Sequence, residues 1–232
     1  MNTPNKFAVL SVILLAPMTS PTRAADPSQQ PSSSETNSVA IGEPGRTQSA
    51  IWQDGVGNGF LPSAQNITIE SGASSGVKIF GGRQSHDLGL LSLAYGHMLG
   101  HVVGQDHWYR GNFEGRLELF GGMQYHPDID TDGWFIGLTP HLRYNFATGT
   151  RWVPFVDAGA GVTAMGISAP DVSGTFEFNL QASTGVRYFL RDNLALTSEV
   201  RYMHFSCGGL HSPNLGINTV AFMFGVSWFF GK

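Results

Sequence analysis

The C-terminal segment from Leu194 to Lys232 constrains the fold more than any other stretch, because its residues alternate strictly in character. In its second half the bulky apolar residues share one strand face: Val220, Phe222, Phe224, Val226, Trp228 and Phe230. A period of two indicates β-strands with one apolar face. In the first half the opposite face carries Glu199 and Arg201, and no helical segment is available to cover the apolar face. The pattern therefore favours a barrel wall with its apolar side in lipid.

The composition of the chain supports a membrane barrel. Only 13% of the 232 residues are charged, whereas a soluble surface needs roughly a quarter or more. No apolar run of about 18 residues or more follows the N-terminus, which excludes a helical membrane protein. The formal net charge of −4 argues against a nucleic-acid partner. The single cysteine, Cys207, excludes an intramolecular disulfide and a cysteine-based zinc site.

The N-terminal part of the chain differs from the rest. Residues 1–24 are predicted to be a secretory signal peptide, with Lys6 before an apolar stretch and small residues near Ala24. Residues 25–64 are predicted to be a flexible leader, because much of this stretch is rich in Ser, Pro and Gln and lacks periodicity. The barrel is assigned to residues 65–232.

Eight segments separated by Gly, Asp, Asn and Pro clusters follow, at about 65–79, 87–98, 112–125, 133–147, 152–165, 175–190, 194–206 and 218–230. An even number of strands near ten residues, joined by alternately short and long connections, predicts an all-β fold, an eight-stranded antiparallel transmembrane β-barrel of the bacterial outer membrane. The short connections at 148–150 and 191–193 should face the periplasm. The longer ones, near 80–86, 126–132, 166–174 and 207–217, should point outward.

The predicted inner face is polar and carries both signs of charge, with Arg116, Glu118, Asp157, Glu177, Arg187, Glu199 and Arg201. An eight-stranded barrel is just wide enough to be filled by side chains, so a through-pore is not expected. The second segment is apolar on both parities, and its register stays unassigned.

Three polar residues lie at the outward end of the last hairpin. His204 and Ser206 are two apart in a strand, so they project side by side, with Cα atoms roughly 6 to 7 Å apart. Asn218 opens the next strand on the same face. A serine, a histidine and an orienting amide are the components of a nucleophile, a base and an orienting group. The alternation places all three on the lipid side.

The run from His204 to Phe230 resembles the C-terminal signature of the PagL lipid A deacylases, which is roughly His-x-Ser-Asn-Ala-Gly, a short loop, Asn-Pro-Gly and a strand ending in aromatics. The matching positions are His204, Ser206, Cys207, Gly208 and Gly209, then Asn214, Leu215 and Gly216. The stretches DLGLLSLAYGHML and WYRGNFEGRLELFGG extend the likeness over the barrel.

This resemblance implies an esterase without a cofactor that removes an ester-linked 3-hydroxyacyl chain from lipid A, with outer-membrane lipid around it. His204 would be the general base and Ser206 the nucleophile. Backbone N–H groups of Gly208 and Gly209 are candidate oxyanion donors. The chain departs from the family at Asn218, where a carboxylate is usual, and at Cys207, where an asparagine is usual. An amide can still hold the imidazole tautomer.

Other interpretations of the sequence remain. Asp128, Asp130 and Asp132 resemble the start of a calcium loop, but Thr139 stands where that loop needs Glu, so no metal is expected. His97, His101 and His107 are weak zinc candidates, because only Asp106 is nearby to complete a site. A catalytically silent barrel with a structural or interaction role is the alternative function. Whether the chain forms a homodimer, and which acyl chain it removes, stay open.

Overall fold

A closed antiparallel barrel of eight strands makes up the described part of the chain, which in the computed structural model comprises residues 57–80, 85–127, 133–167, 171–172, 174–212 and 214–230. The strands are β1 (Gln65–Gly76), β2 (His86–Met98), β3 (Gly111–Pro127), β4 (Gly133–Phe146), β5 (Trp152–Met165), β6 (Phe176–Arg191), β7 (Leu194–Ser206) and β8 (Ile217–Phe230). Each strand pairs with the next, and β1 pairs with β8 to close the sheet. The predicted fold class is confirmed.

The connections divide the barrel into two ends. The turns at 147–151 and 192–193 lie at the end where β1 begins and β8 finishes, which we call the terminal end. The loop end is the opposite one, with the connections 77–85, 128–132, 166–175 and 207–216. No helix in the described ranges is long and apolar enough to cross a membrane. The aspartates of the calcium-like motif, Asp128, Asp130 and Asp132, lie outside the described residues.

The outer face of the barrel is apolar and the inner face is polar, as the alternation predicts. On β6, Phe176, Phe178 and Leu180 are exposed while Glu177 and Asn179 are buried. Large exposed aromatic residues, Trp152, Trp228 and Phe230, lie at the terminal end, where an aromatic girdle is expected. This polarity is the reverse of a soluble protein and is that of an outer-membrane barrel.

Ion pairs fill the middle of the barrel interior. Arg143 contacts both Asp157 and Glu199 at 2.8 Å, and Arg201 contacts Glu118 at 2.8 Å. Charges removed from water cost several kcal/mol each unless they are paired. The pairing of the buried arginines with carboxylates is therefore required for folding and adds little net stability. The described interior is therefore packed with side chains.

An apolar cluster closes the terminal end of the interior and includes part of the predicted leader. A 3-10 helix, Gly57–Phe60, precedes β1, and Phe60 is fully buried. Its ring packs against those of Phe189 and Phe229, with centroids 5.6 and 5.3 Å away, and its carbonyl accepts a hydrogen bond from Asn112 Nδ2. Packing against the barrel thus begins before residue 65. The predicted signal peptide and the leader up to residue 56 lie outside the described residues.

A second apolar cluster fills the interior at the loop end and explains the unassigned register of β2. Leu88 and Leu90 point inward, where they meet Phe120, Phe135 and other apolar residues of the cluster. Leu91, Leu93 and Tyr95 of the same strand point to lipid. Because both faces of β2 are apolar near the loop end, alternation alone carries no information there.

Candidate active site

His204 and Ser206 occupy the lipid-facing side of β7 at its loop end, as predicted. Residues of β7 alternate between buried and accessible, and these two are half-buried on the same face as exposed Val200. The imidazole Nε2 of His204 lies 3.1 Å from Ser206 Oγ. That distance is within hydrogen-bond reach, so the histidine is positioned to take the hydroxyl proton.

Asn218 lies on the other side of the same histidine. The antiparallel register of β7 and β8 pairs His204 with Asn218, and His204 Nδ1 is 2.8 Å from Asn218 Oδ1. An amide oxygen can only accept, so Nδ1 must donate and Nε2 must carry the lone pair. Ser206 Oγ then donates to Nε2. The three side chains thus form a hydrogen-bond relay in the tautomer that activates a serine, and the amide contributes no formal charge to it.

A groove of about 400 Å³ opens on the lipid side of the relay. It is bordered by both functional and apolar side chains: Phe80, Leu180, Tyr202, His204, Ser206, Asn214 and Leu215. Pockets that place a few polar groups on an apolar wall are typical of sites for small or lipid-like ligands. The reactive pair is therefore accessible from the membrane side of the barrel.

A tight turn follows Ser206. The N–H of Leu210 donates to the carbonyl of Cys207, and Gly208 and Gly209 have φ values of 62° and 85°. Two positive φ angles at the central positions define a type I′ turn, which favours glycine at both. The N–H of Cys207 donates to Asn214 Oδ1 at 3.1 Å. The next backbone donors after the serine are therefore those of the two exposed glycines.

Cys207 itself leaves the reactive face. Its side chain is 1% exposed, and its Sγ contacts the carbonyl of His211 at 3.4 Å. Position 207 belongs to the opposite parity from His204 and Ser206, and its thiol points away from His204. The Ser206 hydroxyl, and not this thiol, therefore lies beside His204 Nε2.

Gly216 presses directly against the relay. Its φ is 74°, and a Cβ at this position would lie 2.7 Å from the carbonyl oxygen of Phe205 and 3.0 Å from His204 Cε1. The N–H groups of Leu215 and Gly216 both donate to the carbonyl of Asp171, which ties this segment to the β5–β6 connection. A residue without a Cβ is needed here for the loop to back the imidazole.

The weaker metal candidates are not brought together. His97 lies in β2, whereas His101 and His107 lie in the β2–β3 connection, where the ring of His107 stacks on Tyr109. Across the described ranges, no group of three or more His, Cys, Asp or Glu residues is arranged to hold a metal ion.

Two partners of Asn218 were not predicted from the sequence. The hydroxyl of Tyr202 donates to Asn218 Oδ1 at 2.6 Å, and Asn218 Nδ2 donates to the carbonyl of Ile79 at 3.1 Å. Tyr202 is two residues before His204, so its place on this face was available from the alternation. The contact with the Ile79 carbonyl has no signal in the sequence, because every residue has a backbone carbonyl.

Solved structures with the same barrel fold include the outer membrane enzyme PagL, which is 20% identical, with a TM-score of 0.51 over 69% of this chain and 97% of that chain. Neisserial surface protein A is 16% identical, with a TM-score of 0.54 over 72% of this chain and 99% of that chain. At these identities the likeness establishes the fold. No curated protein matches the chain significantly. The family model described as lipid A 3-O-deacylase (PagL) matches residues 89–227, more than half of the chain, and the protein therefore belongs to the PagL lipid A 3-O-deacylase family.

Proposed function

We propose that this chain hydrolyses an ester-linked 3-hydroxyacyl chain of lipid A in the outer leaflet of the bacterial outer membrane, by a serine mechanism. Membership of the lipid A 3-O-deacylase family supports the substrate and the ester hydrolysis. The observation that carries the mechanism is the continuous relay from Ser206 Oγ through His204 to Asn218 Oδ1, with distances of 3.1 and 2.8 Å.

The first half of the reaction forms an acyl-enzyme. Ser206 Oγ attacks the ester carbonyl carbon while its proton passes to His204 Nε2, and the imidazolium then donates that proton to the departing sugar oxygen. Asn218 accepts from Nδ1 throughout and so keeps the ring oriented. A carboxylate in this position would stabilise the imidazolium more, because it carries a full negative charge.

The tetrahedral intermediate carries a negative oxygen that needs hydrogen-bond donors. The backbone N–H groups of Gly208 and Gly209, in the turn that follows Ser206, are the proposed donors. Donors preorganised for a developing oxyanion contribute about 100- to 1000-fold each to the rate. Position 207 holds a buried cysteine where the family usually has an asparagine, so the proposed donors are backbone groups.

The second half of the reaction releases the fatty acid. Water attacks the acyl-enzyme carbonyl with His204 Nε2 as the base, and the proton returns to Ser206 Oγ when the ester bond to the serine breaks. No metal or cofactor takes part in either step.

The lipid-facing position of the relay suits this substrate. Acyl chains of lipid A lie in the membrane, so an ester near the headgroup reaches the barrel from outside and not through its packed interior. The groove beside the relay, bordered by Leu180 and Phe80, offers an apolar path at that depth. Polar side chains on a lipid face are tolerated near the interface, where their penalty is small.

The catalytically silent barrel is not favoured, because it leaves both the family membership and the ordered relay without a role. All residues of the proposed mechanism belong to one chain, so the mechanism needs no homodimer.

Mass spectrometry of lipid A from Gram-negative cells that express the chain tests this function. We expect the parent to remove one 3-hydroxyacyl mass and Ser206→Ala and His204→Ala to remove none. Ser198→Ala is the matched control, since Ser198 lies on the same face of the same strand, eight residues or about 26 Å from Ser206. Unchanged lipid A with a folded, heat-modifiable parent, both in cells and in detergent micelles, would refute the proposal.

A further inference from the structure

Both polar atoms of the Asn218 side-chain amide make hydrogen bonds. Its oxygen accepts hydrogen bonds from His204 Nδ1 at 2.8 Å and from the Tyr202 hydroxyl at 2.6 Å. Its nitrogen donates to the Ile79 carbonyl at 3.1 Å. The residue is 3% exposed, so water does not compete freely for these atoms.

An amide differs from a carboxylate because its two ends are chemically opposite. If the Asn218 amide rotated by half a turn, its oxygen would face the carbonyl oxygen of Ile79, and its NH₂ group would face His204 Nδ1. While the proton stays on Nδ1, neither contact is a hydrogen bond, since two acceptors would meet at one end and two donors at the other. In that orientation His204 would have to move its proton to Nε2, and Ser206 would lose its base.

Ile79 belongs to a segment that holds Asn218 at two atoms. The N–H of Val77 donates to the Asn218 carbonyl at 2.8 Å, while the Ile79 carbonyl accepts from the Asn218 side chain. The residues just after β1 are thereby joined to the start of β8. The Ile79 carbonyl is a backbone group held in place by its own chain, so it supplies a fixed acceptor.

We propose that Tyr202 is a positioning residue of the esterase site: the Ile79 carbonyl, which can only accept, selects the Asn218 amide orientation that keeps the His204 lone pair on Nε2, facing Ser206, and the Tyr202 hydroxyl stabilises that orientation by donating to the amide oxygen. The proposal rests on the proposed serine mechanism. Tyr202 acts through Asn218 and His204 and does not touch the reacting atoms. The Tyr202 hydroxyl and the Ile79 carbonyl form hydrogen bonds with opposite ends of the amide. These two hydrogen bonds compensate for the absence of a formal charge on Asn218.

A fluorophosphonate probe tests this lock on the Asn218 amide independently of lipid A. In this reaction a Ser206 Oγ–P bond forms, the P–F bond breaks with release of fluoride, and the hydroxyl proton passes to His204 Nε2. The labelling rate therefore reports the activation of the serine in the full-length protein in detergent micelles. Tyr202→Phe removes the hydroxyl and retains the ring that borders the groove.

We expect Tyr202→Phe to lower the labelling rate about 3- to 10-fold, the effect of one buried hydrogen bond. In an Asn218→Ala background the same change should alter labelling less than twofold, because no amide is left to orient. With lipid A as the substrate, kcat should fall by a similar factor and KM should stay unchanged. Tyr125→Phe is the matched control. It removes a different tyrosine hydroxyl at the loop end, one that donates to the carbonyl of Ser74, and it should leave labelling unchanged.

The possible outcomes test the proposed lock on the Asn218 amide separately from the proposed lipid A substrate. A change of less than twofold in Tyr202→Phe, or an equal loss in both backgrounds, overturns the lock, provided that heat-modifiability shows that all variants are folded. An unlabelled parent also overturns it, since an ordered relay must activate Ser206. If the labelling pattern holds while lipid A stays intact, the lock stands and the proposed substrate fails.

Discussion

Replacing Gly216 by alanine should slow deacylation while the barrel stays folded. The added Cβ would lie 2.7 Å from the Phe205 carbonyl oxygen and 3.0 Å from His204 Cε1, both shorter than ordinary contacts. The Phe205 carbonyl belongs to the β7 backbone and cannot move aside, so the segment around residue 216 has to shift, and the imidazole that it backs is displaced with it. A shift of a few tenths of an ångström would lengthen the 3.1 Å contact between Nε2 and Ser206 Oγ toward the limit of a hydrogen bond.

The expected loss follows from that displacement. A misplacement of about 1 Å can cost roughly 100-fold in rate, so a smaller shift should reduce the deacylation rate about 10- to 100-fold. The left-handed backbone of Gly216, with φ of 74°, adds a stability cost of about 1–2 kcal/mol for a residue with a side chain. That cost is too small to unfold an outer-membrane barrel.

The assay measures the rate of 3-hydroxyacyl release from lipid A in detergent micelles, together with heat-modifiability as the measure of folding. Gly149→Ala is the control, because Gly149 also has φ of 74° but lies in the turn at the terminal end, on the other side of the membrane. It carries the same backbone cost without contact with His204. Parent-like activity in Gly216→Ala, or an equal loss in Gly149→Ala, would refute the reasoning.

Four further predictions address the groove, the barrel and the buried charges. Phe80→Ala removes an exposed ring that borders the groove and should raise KM roughly fivefold, by about 1 kcal/mol of lost apolar contact, with kcat unchanged in the micelle assay. Phe60→Ala should lower the unfolding free energy by about 3–5 kcal/mol in urea titrations without changing kcat, since its cluster lies at the terminal end. Leu93→Arg places a charge on the lipid face in the middle of β2 and should cost about 2–4 kcal/mol in the same titration, whereas Leu93→Ile should cost far less. Arg143→Ala leaves two buried carboxylates with fewer partners and should cost about 3–5 kcal/mol, and a parent-like midpoint would contradict the paired-charge account of the interior.

The barrel was largely predictable because each strand repeats the same physical requirement. A lipid-facing side must be apolar and an inner side in this small barrel is polar, so alternation marks both the strands and their faces. Observed strand bounds agree with the predicted ones to within about three residues. The bounds of β2 also agree, but its two faces could not be assigned, since the interior at the loop end is itself apolar, and Leu88 and Leu90 look the same as the lipid-facing Leu91 and Leu93. The packing of Phe60 also went unpredicted, because a short helix carries no periodic signal.

The candidate site was also predictable in part from the sequence. His204 and Ser206 are two residues apart in one strand, and Asn218 follows across one hairpin, so local spacing was enough to predict that the three side chains meet. Their hydrogen bonds agree with that prediction. The chemical roles of these residues, and the roles of Gly208 and Gly209, remain proposals for experiment.

Outside β2, the sequence by itself determined which strand residues face lipid, and it determined which three polar side chains share the outward end of the last hairpin, because both follow from the two-residue period of a β-strand. The tertiary structure alone decided that Ile79 meets Asn218, since the two lie 139 residues apart and come together where β1 closes the barrel against β8. Barrel closure is a property of the whole sheet. It brings the first strand to the last, and the orientation of the amide beside His204 depends on that contact.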